Sequence, residues 1–143
     1  MSDIILGGSC LCGTVRYELT EAPFWAHSCH CTRCRKITGS PFAANAFVPL
    51  EALRYVEGEE HIRSYRVPKA ERFTHTFCTV CGSTLPSPNP SKSRVVIPMG
   101  SLDDNPGLSP KAHIWVNSKA AWDVIADDLP QHPEALDFQP QEP

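Results

Sequence analysis

Gly8-Ser9-Cys10-Leu11-Cys12-Gly13-Thr14-Val15-Arg16-Tyr17-Glu18-Leu19-Thr20 carries two signals at once. Cys10 and Cys12 flank a single residue, so their sulfurs reach for one locus. Thiols so spaced suit a tetrahedral zinc ion with Zn–S bonds near ~2.3 Å. Immediately afterwards Val15, Tyr17 and Leu19 alternate with polar neighbours, the period of a half-buried strand. The stretch therefore predicts a β-rich domain stapled by metal.

Working outward, two more clusters appear: Cys29-His30-Cys31-Thr32-Arg33-Cys34 and Cys78-Thr79-Val80-Cys81. The total of seven cysteines divides as four plus three. Four thiolates close a zinc site, whereas three leave a coordination position open for chemistry. A disulfide framework fits poorly, because an odd count leaves one thiol over and a Cys-x-Cys bridge closes a strained small ring. Gly7-Gly8 before the first cluster and Gly82 after the last are expected to supply positive φ, turning backbone amides toward the thiolates.

Further short runs read as strands at 44–50, 53–56, 61–66, 72–77, 94–99 and 113–116, each bounded by Gly, Pro or charge. Fourteen prolines disfavour long helices. Helix is confined to Thr32–Thr38, with Gly39 placed to end it, and to short turns opened by Ser101 and Ser118. The chain's 143 residues fit one domain, expected over 1–126. From Asp127 to Pro143 there are four prolines, five acids and no Lys or Arg, which reads as a poorly ordered acidic tail.

A 41% apolar and 20% charged composition is that of a globular chain, not a disordered one. The net charge of −3 offers no field to recruit nucleic acid or an anionic membrane. No run approaches the roughly 20 apolar residues of a membrane span. The first residues lack a basic stretch followed by an apolar run, so the expected setting is the reducing cytoplasm, where such cysteines bind metal.

Cys10 and Cys12 can join Cys78 and Cys81 in a closed site linking distant segments. That leaves Cys29, Cys31 and Cys34 as a triad. Spacing alone also permits Cys31 and Cys34 to join Cys78 and Cys81, or His30 to close a Cys₃His site. Alternation in an extended segment turns His30 away from its two neighbours.

Three segments together resemble the glutathione-dependent formaldehyde-activating family, which includes centromere protein V. They are Gly8 to Tyr17, then Cys29-His-Cys-Thr-Arg-Cys-Arg-Lys-Ile-Thr-Gly-Ser-Pro-Phe42, then Phe77-Cys-Thr-Val-Cys-Gly-Ser83. His113-Ile-Trp115 and Lys119-Ala-Ala-Trp122 extend the likeness, which covers about residues 7 to 122. The resemblance implies a mainly β, β-tent zinc-binding fold of short antiparallel strands with little helix. It implies two zinc ions per chain, a structural one on Cys10, Cys12, Cys78 and Cys81 and a catalytic one on Cys29, Cys31 and Cys34. It further implies carbon–sulfur lyase chemistry on a formaldehyde adduct of glutathione.

Three thiolates give a site of formal charge −1, which favours holding a small substrate thiol as a nucleophilic thiolate. Soft ligands with an open position also lose zinc or oxidise, so partial occupancy of the second site is expected. Arg33, Arg35 and Lys36 are candidates to grip substrate carboxylates or to stand as solvated surface cations. His30 is a candidate proton donor or supporting group, His113 a candidate pocket wall, and Phe42 and Phe47 read as core. The competing expectation is a non-catalytic, zinc-stabilised protein-binding module.

Overall fold

A computed structural model describes residues 5–70 and 73–136. It is mainly β, with ten short strands, one α-helix and five short 3-10 turns among the described residues. A three-stranded antiparallel sheet joins β1 (Leu6–Ser9), β2 (Arg16–Leu19) and β5 (Leu53–Glu57) in the order β1-β2-β5. A five-stranded sheet runs β10-β3-β4-β9-β8. Its members are β3 (Trp25–Cys29), β4 (Ala43–Pro49), β8 (Ser87–Asn89), β9 (Arg94–Pro98) and β10 (His113–Ile114). Within it only β10 pairs in parallel, against β3. The hairpin β6 (Ile62–Arg66) and β7 (Thr74–Cys78) completes the set.

The two larger sheets share the main core. Leu6, Tyr17 and Leu19 of the first meet Ala26, Ala46, Val48, Val95 and Ile97 of the second, all nearly inaccessible to water. Period-two alternation then decides what the other face of the five-stranded sheet presents. It displays Trp25, His27 and Cys29 on β3, with Ala43, Asn45 and Phe47 on β4, in register Cys29↔Ala43, His27↔Asn45 and Trp25↔Phe47. One face is thus core and the other carries a cysteine of the triad.

Gly8 is a strand residue without positive φ, so the expected reason for its presence changes. It pairs with Tyr17, and a Cβ at Gly8 would run into the tyrosine ring. Close approach, not turn geometry, selects glycine there. Gly82 does adopt φ +79 as expected, donating to the Cys78 carbonyl at 2.8 Å.

The helix α1 (Thr32–Thr38) falls where the sequence places it, and Gly39 closes it in the left-handed region, donating to the Arg35 carbonyl. Ser101 does not open a helical turn; it ends the 3-10 turn Met99–Ser101, its hydroxyl donating to the Pro98 carbonyl at 2.7 Å. The later turn is also shifted, to a 3-10 turn at Val116–Ser118.

The stretch expected to lie poorly ordered differs most. Residues 127–136 run beside β10: His113 donates to the Pro130 carbonyl and His132 to the His113 carbonyl, both at 2.8 Å. Trp115 likewise donates to the Glu134 carbonyl at 3.1 Å. Proline and acid content misleads here because β10 offers an unpaired edge that this segment satisfies. Asp137–Pro143 lie outside the described residues. No described helix is long and apolar enough to cross a membrane.

Candidate metal centres and active site

Two turns build the first cluster. Cys10 directly follows β1 and starts a tight turn in which Gly13 donates to its carbonyl, while the Val15 amide points at its sulfur, 3.3 Å away. Cys78 ends β7 and repeats the device, with the Val80 amide 3.3 Å from its sulfur. The Leu11 amide donates to the Ser83 hydroxyl at 2.9 Å, tying the turns together.

The four sulfurs of Cys10, Cys12, Cys78 and Cys81 lie within 4.8 Å of one another. Cys10 and Cys12 are 3.6 Å apart, and Cys12 and Cys78 4.0 Å. A tetrahedral ion with bonds of ~2.3 Å requires sulfurs roughly 3.8 Å apart, so the spacing fits a metal ion. The thiols are also biased: hydrogen bonding from the Ser83 hydroxyl lowers Cys81 to about 5, and the Thr14 hydroxyl lowers Cys12, while burial raises Cys10.

The second cluster is local. Cys29 is the last residue of β3, Cys31 is the N-cap of α1, and Cys34 lies in its first turn. The Cys31 sulfur accepts the Cys34 amide at 3.3 Å, the part normally taken by a Ser, Thr, Asp or Asn oxygen. The three sulfurs again lie within 4.8 Å of one another. Among the described residues no fourth His, Cys, Asp or Glu atom joins them.

So close together, the thiols cannot all ionise alone. Hydrogen bonds from Cys29 and Cys34 hold Cys31 down at about 2, and the same contacts with Cys31 push Cys29 up to about 12. Cys34 is raised further by its bonds to Cys29 and Cys31. A bound cation is what would let all three become thiolates. All seven cysteines are free, so none is withdrawn from either cluster by a disulfide.

A broad, open cavity of about 1590 Å³ lies over the triad. Cys29, Cys31 and Cys34 line it, together with Arg33, Lys69, Lys92 and Arg94. Of the three cations flanking the triad in sequence, Arg33 alone lines this cavity, its guanidinium 5.7 Å from the Phe73 ring centre. Arg35 and Lys36 line a smaller surface hollow beside Trp122. Phe47 is buried as expected of a core residue and Phe42 is half-buried, and both also line the main cavity. Phe47 sits under the Arg94 guanidinium at 4.5 Å and edge-on to His27 at 5.0 Å.

His30 is not a fourth donor. Its ring is fully buried on the far side of the ligand segment, Nε2 lying 2.8 Å from Nδ1 of the equally buried His113. His113 Nε2 in turn meets both oxygens of Asp127 at 3.0 Å. An ionised carboxylate only accepts, so His113 donates through Nε2, and when its ring is neutral its Nδ1 accepts from His30 Nε2. Asp123 faces the remaining His30 nitrogen at 3.7 Å. Burial depresses His30, and the Leu129 amide with His113 holds the Asp127 carboxyl low.

Sequence reasoning missed Asp123, Asp127 and His27. The first two stand in turns, with no periodic signal. His27 was detectable in principle, because Trp25-x-His27-x-Cys29 alternates, but β3 itself lacks the β-branched residues that announce a strand. The Trp25 indole N–H donates to His27 Nδ1 at 3.0 Å, and burial depresses His27 to about 4.

Over residues 5–118 the chain matches the family described as "Glutathione-dependent formaldehyde-activating enzyme". It is 30% identical over 129 residues to a Halomonas elongata protein whose name carries the same description, covering 83% of this chain and 80% of that one. A crystal structure of a Rhodobacter sphaeroides protein superposes with a TM-score of 0.57 at 28% identity, covering 73% of this chain and 97% of the other. The ordered clusters, the mainly β architecture and these matches agree: the chain belongs to the glutathione-dependent formaldehyde-activating enzyme family.

Proposed function

We propose that this protein is a zinc-dependent carbon–sulfur lyase-type enzyme that makes or breaks the bond between a small thiol, such as glutathione, and an aldehyde carbon. The observation that carries the reading is the three-sulfur cluster opening on a cavity without a fourth protein donor among the described residues. Cys29, Cys31 and Cys34 would hold the catalytic zinc, and Cys10, Cys12, Cys78 and Cys81 a structural one. When bound at the triad, zinc would supply a deprotonated, nucleophilic substrate thiol at neutral pH.

The chain's own residues do the rest. Arg33, Lys69, Lys92 and Arg94 give the cavity a cationic lining suited to the carboxylates of a peptide thiol. Phe42 and Phe47 supply an apolar wall beside the reacting end. The buried His30–His113–Asp127 chain braces the backbone between Cys29 and Cys31, fixing where those two sulfurs point. Free thiols throughout suit a reducing, cytoplasmic setting.

Cobalt substitution tests the proposal directly. Titrating glutathione and other thiols should shift the d–d spectrum of the triad site while the four-sulfur site stays unchanged. A spectrum that ignores every thiol would sink the lyase reading and leave a metal-stapled protein-binding module.

A further inference from the structure

We infer that His27 is a catalytic residue that donates its Nε2–H to the oxygen carried by the carbon bonded to the substrate sulfur. The inference rests on the thiol–aldehyde reading above and assigns a group to its oxygen.

Three observations point the same way. First, His27 lies two residues before Cys29 on β3, hence on the same face, roughly 7 Å along the strand. It lines the cavity that the triad opens on, and its cross-strand partner Asn45 lines it too. Second, the Trp25 indole is a donor only, so its 3.0 Å hydrogen bond makes His27 Nδ1 the acceptor. The proton of the neutral ring therefore sits on Nε2. Third, that nitrogen has no hydrogen-bond partner among the described residues, although the residue is only 8% exposed. The Phe47 edge contact at 5.0 Å and the Trp25 bond hold the ring's orientation. A fixed donor on a mostly buried ring that lines the cavity, with no partner of its own, is what a developing oxyanion needs.

The step balances without a change in His27 protonation. In adduct formation the sulfur lone pair forms the C–S bond, and the C=O π pair moves onto oxygen. The His27 Nε2–H holds that oxygen as charge develops, and the alkoxide then takes a proton from water. In the reverse direction hydroxide removes the hydroxyl proton, C=O re-forms, and the C–S pair leaves with sulfur.

The test uses ring-¹⁵N-labelled, zinc-loaded protein with glutathione alone and with glutathione plus formaldehyde. The His27 Nε2 signal should move when formaldehyde is added, and much less with glutathione alone. In kinetics, His27→Phe should lower kcat on the order of 100-fold with little change in the thiol KM, and His27→Gln, which keeps an N–H donor, should recover part of the loss. Cobalt spectra of both variants check that the triad still takes thiol.

If the ¹⁵N signal ignores formaldehyde while the cobalt spectrum still reports thiol, the assignment to His27 fails and the lyase reading stands. Unchanged kcat in His27→Phe overturns it equally. A cobalt site silent to every thiol overturns both. Should His27→Phe fail to fold, the wild-type ¹⁵N measurement still decides.

Discussion

The two cysteine clusters use the same chemistry with opposite topology. Cys10 and Cys12 meet Cys78 and Cys81 across a separation of 66 residues between Cys12 and Cys78, whereas Cys29, Cys31 and Cys34 come from one unbroken stretch. The first cluster joins the end of β1 to the end of β7, so its loss frees a long loop of chain. The second needs only a strand end and a helix cap, and its sulfurs are braced from behind by buried histidines. On the function proposed above, the long-range cluster holds the fold and the local one is given over to chemistry.

Breaking the long-range cluster should have the largest effect. Cys78 is fully buried, and structural zinc sites contribute about 10–16 kcal/mol, as much as the whole stability of a domain. Cys78→Ser is therefore expected to abolish the cooperative thermal transition seen by circular dichroism. Cys34→Ser should behave differently, losing one of two zinc ions by metal analysis while melting cooperatively, with stability reduced by about 1–3 kcal/mol. Equal collapse of both variants would erase the distinction between the clusters.

A subtler break is Gly58→Ala. Gly58 has φ +76, and a Cβ there would collide with the Thr14 carbonyl in the turn that carries Cys10 and Cys12. A cost of about 1–3 kcal/mol should appear in denaturant melts, with triad occupancy untouched. Smallest in stability but aimed at the triad is Asp127→Asn. It weakens the hydrogen bond that orders His113 and His30. Chelator competition should show about tenfold weaker metal retention at the second site and none at the first. Equal weakening at both sites would contradict the bracing role given to the histidines.

What the sequence made legible follows the range of each interaction. Cys29, Cys31, Cys34 and Gly39 lie close together, so the helix and its glycine stop were readable from the sequence, while spacing alone left open which cysteines group together. Val15, Tyr17 and Leu19 announced β2 by alternation. β1, β3 and β8 were not foreseen, because Leu6-Gly-Gly-Ser9, Trp25-Ala-His-Ser-Cys29 and Ser87-Pro-Asn89 carry little strand propensity. They exist because neighbouring strands pair with them. The His30–His113–Asp127 chain was invisible for a related reason: its members meet only through the parallel pairing of β10 on β3 and the return of the C-terminal segment.

The contrast in range also sets an order of assembly during synthesis. The stretch Cys29–Cys34 emerges from the ribosome whole, with every sulfur of its cluster present. Cys10 and Cys12 emerge earlier but must wait for Cys81 before theirs is complete. Until then the nascent chain carries the Cys10 and Cys12 thiols without their partners. The window in which oxidant or a foreign metal can trap the first cluster half-built is therefore the interval between translating Cys12 and Cys81.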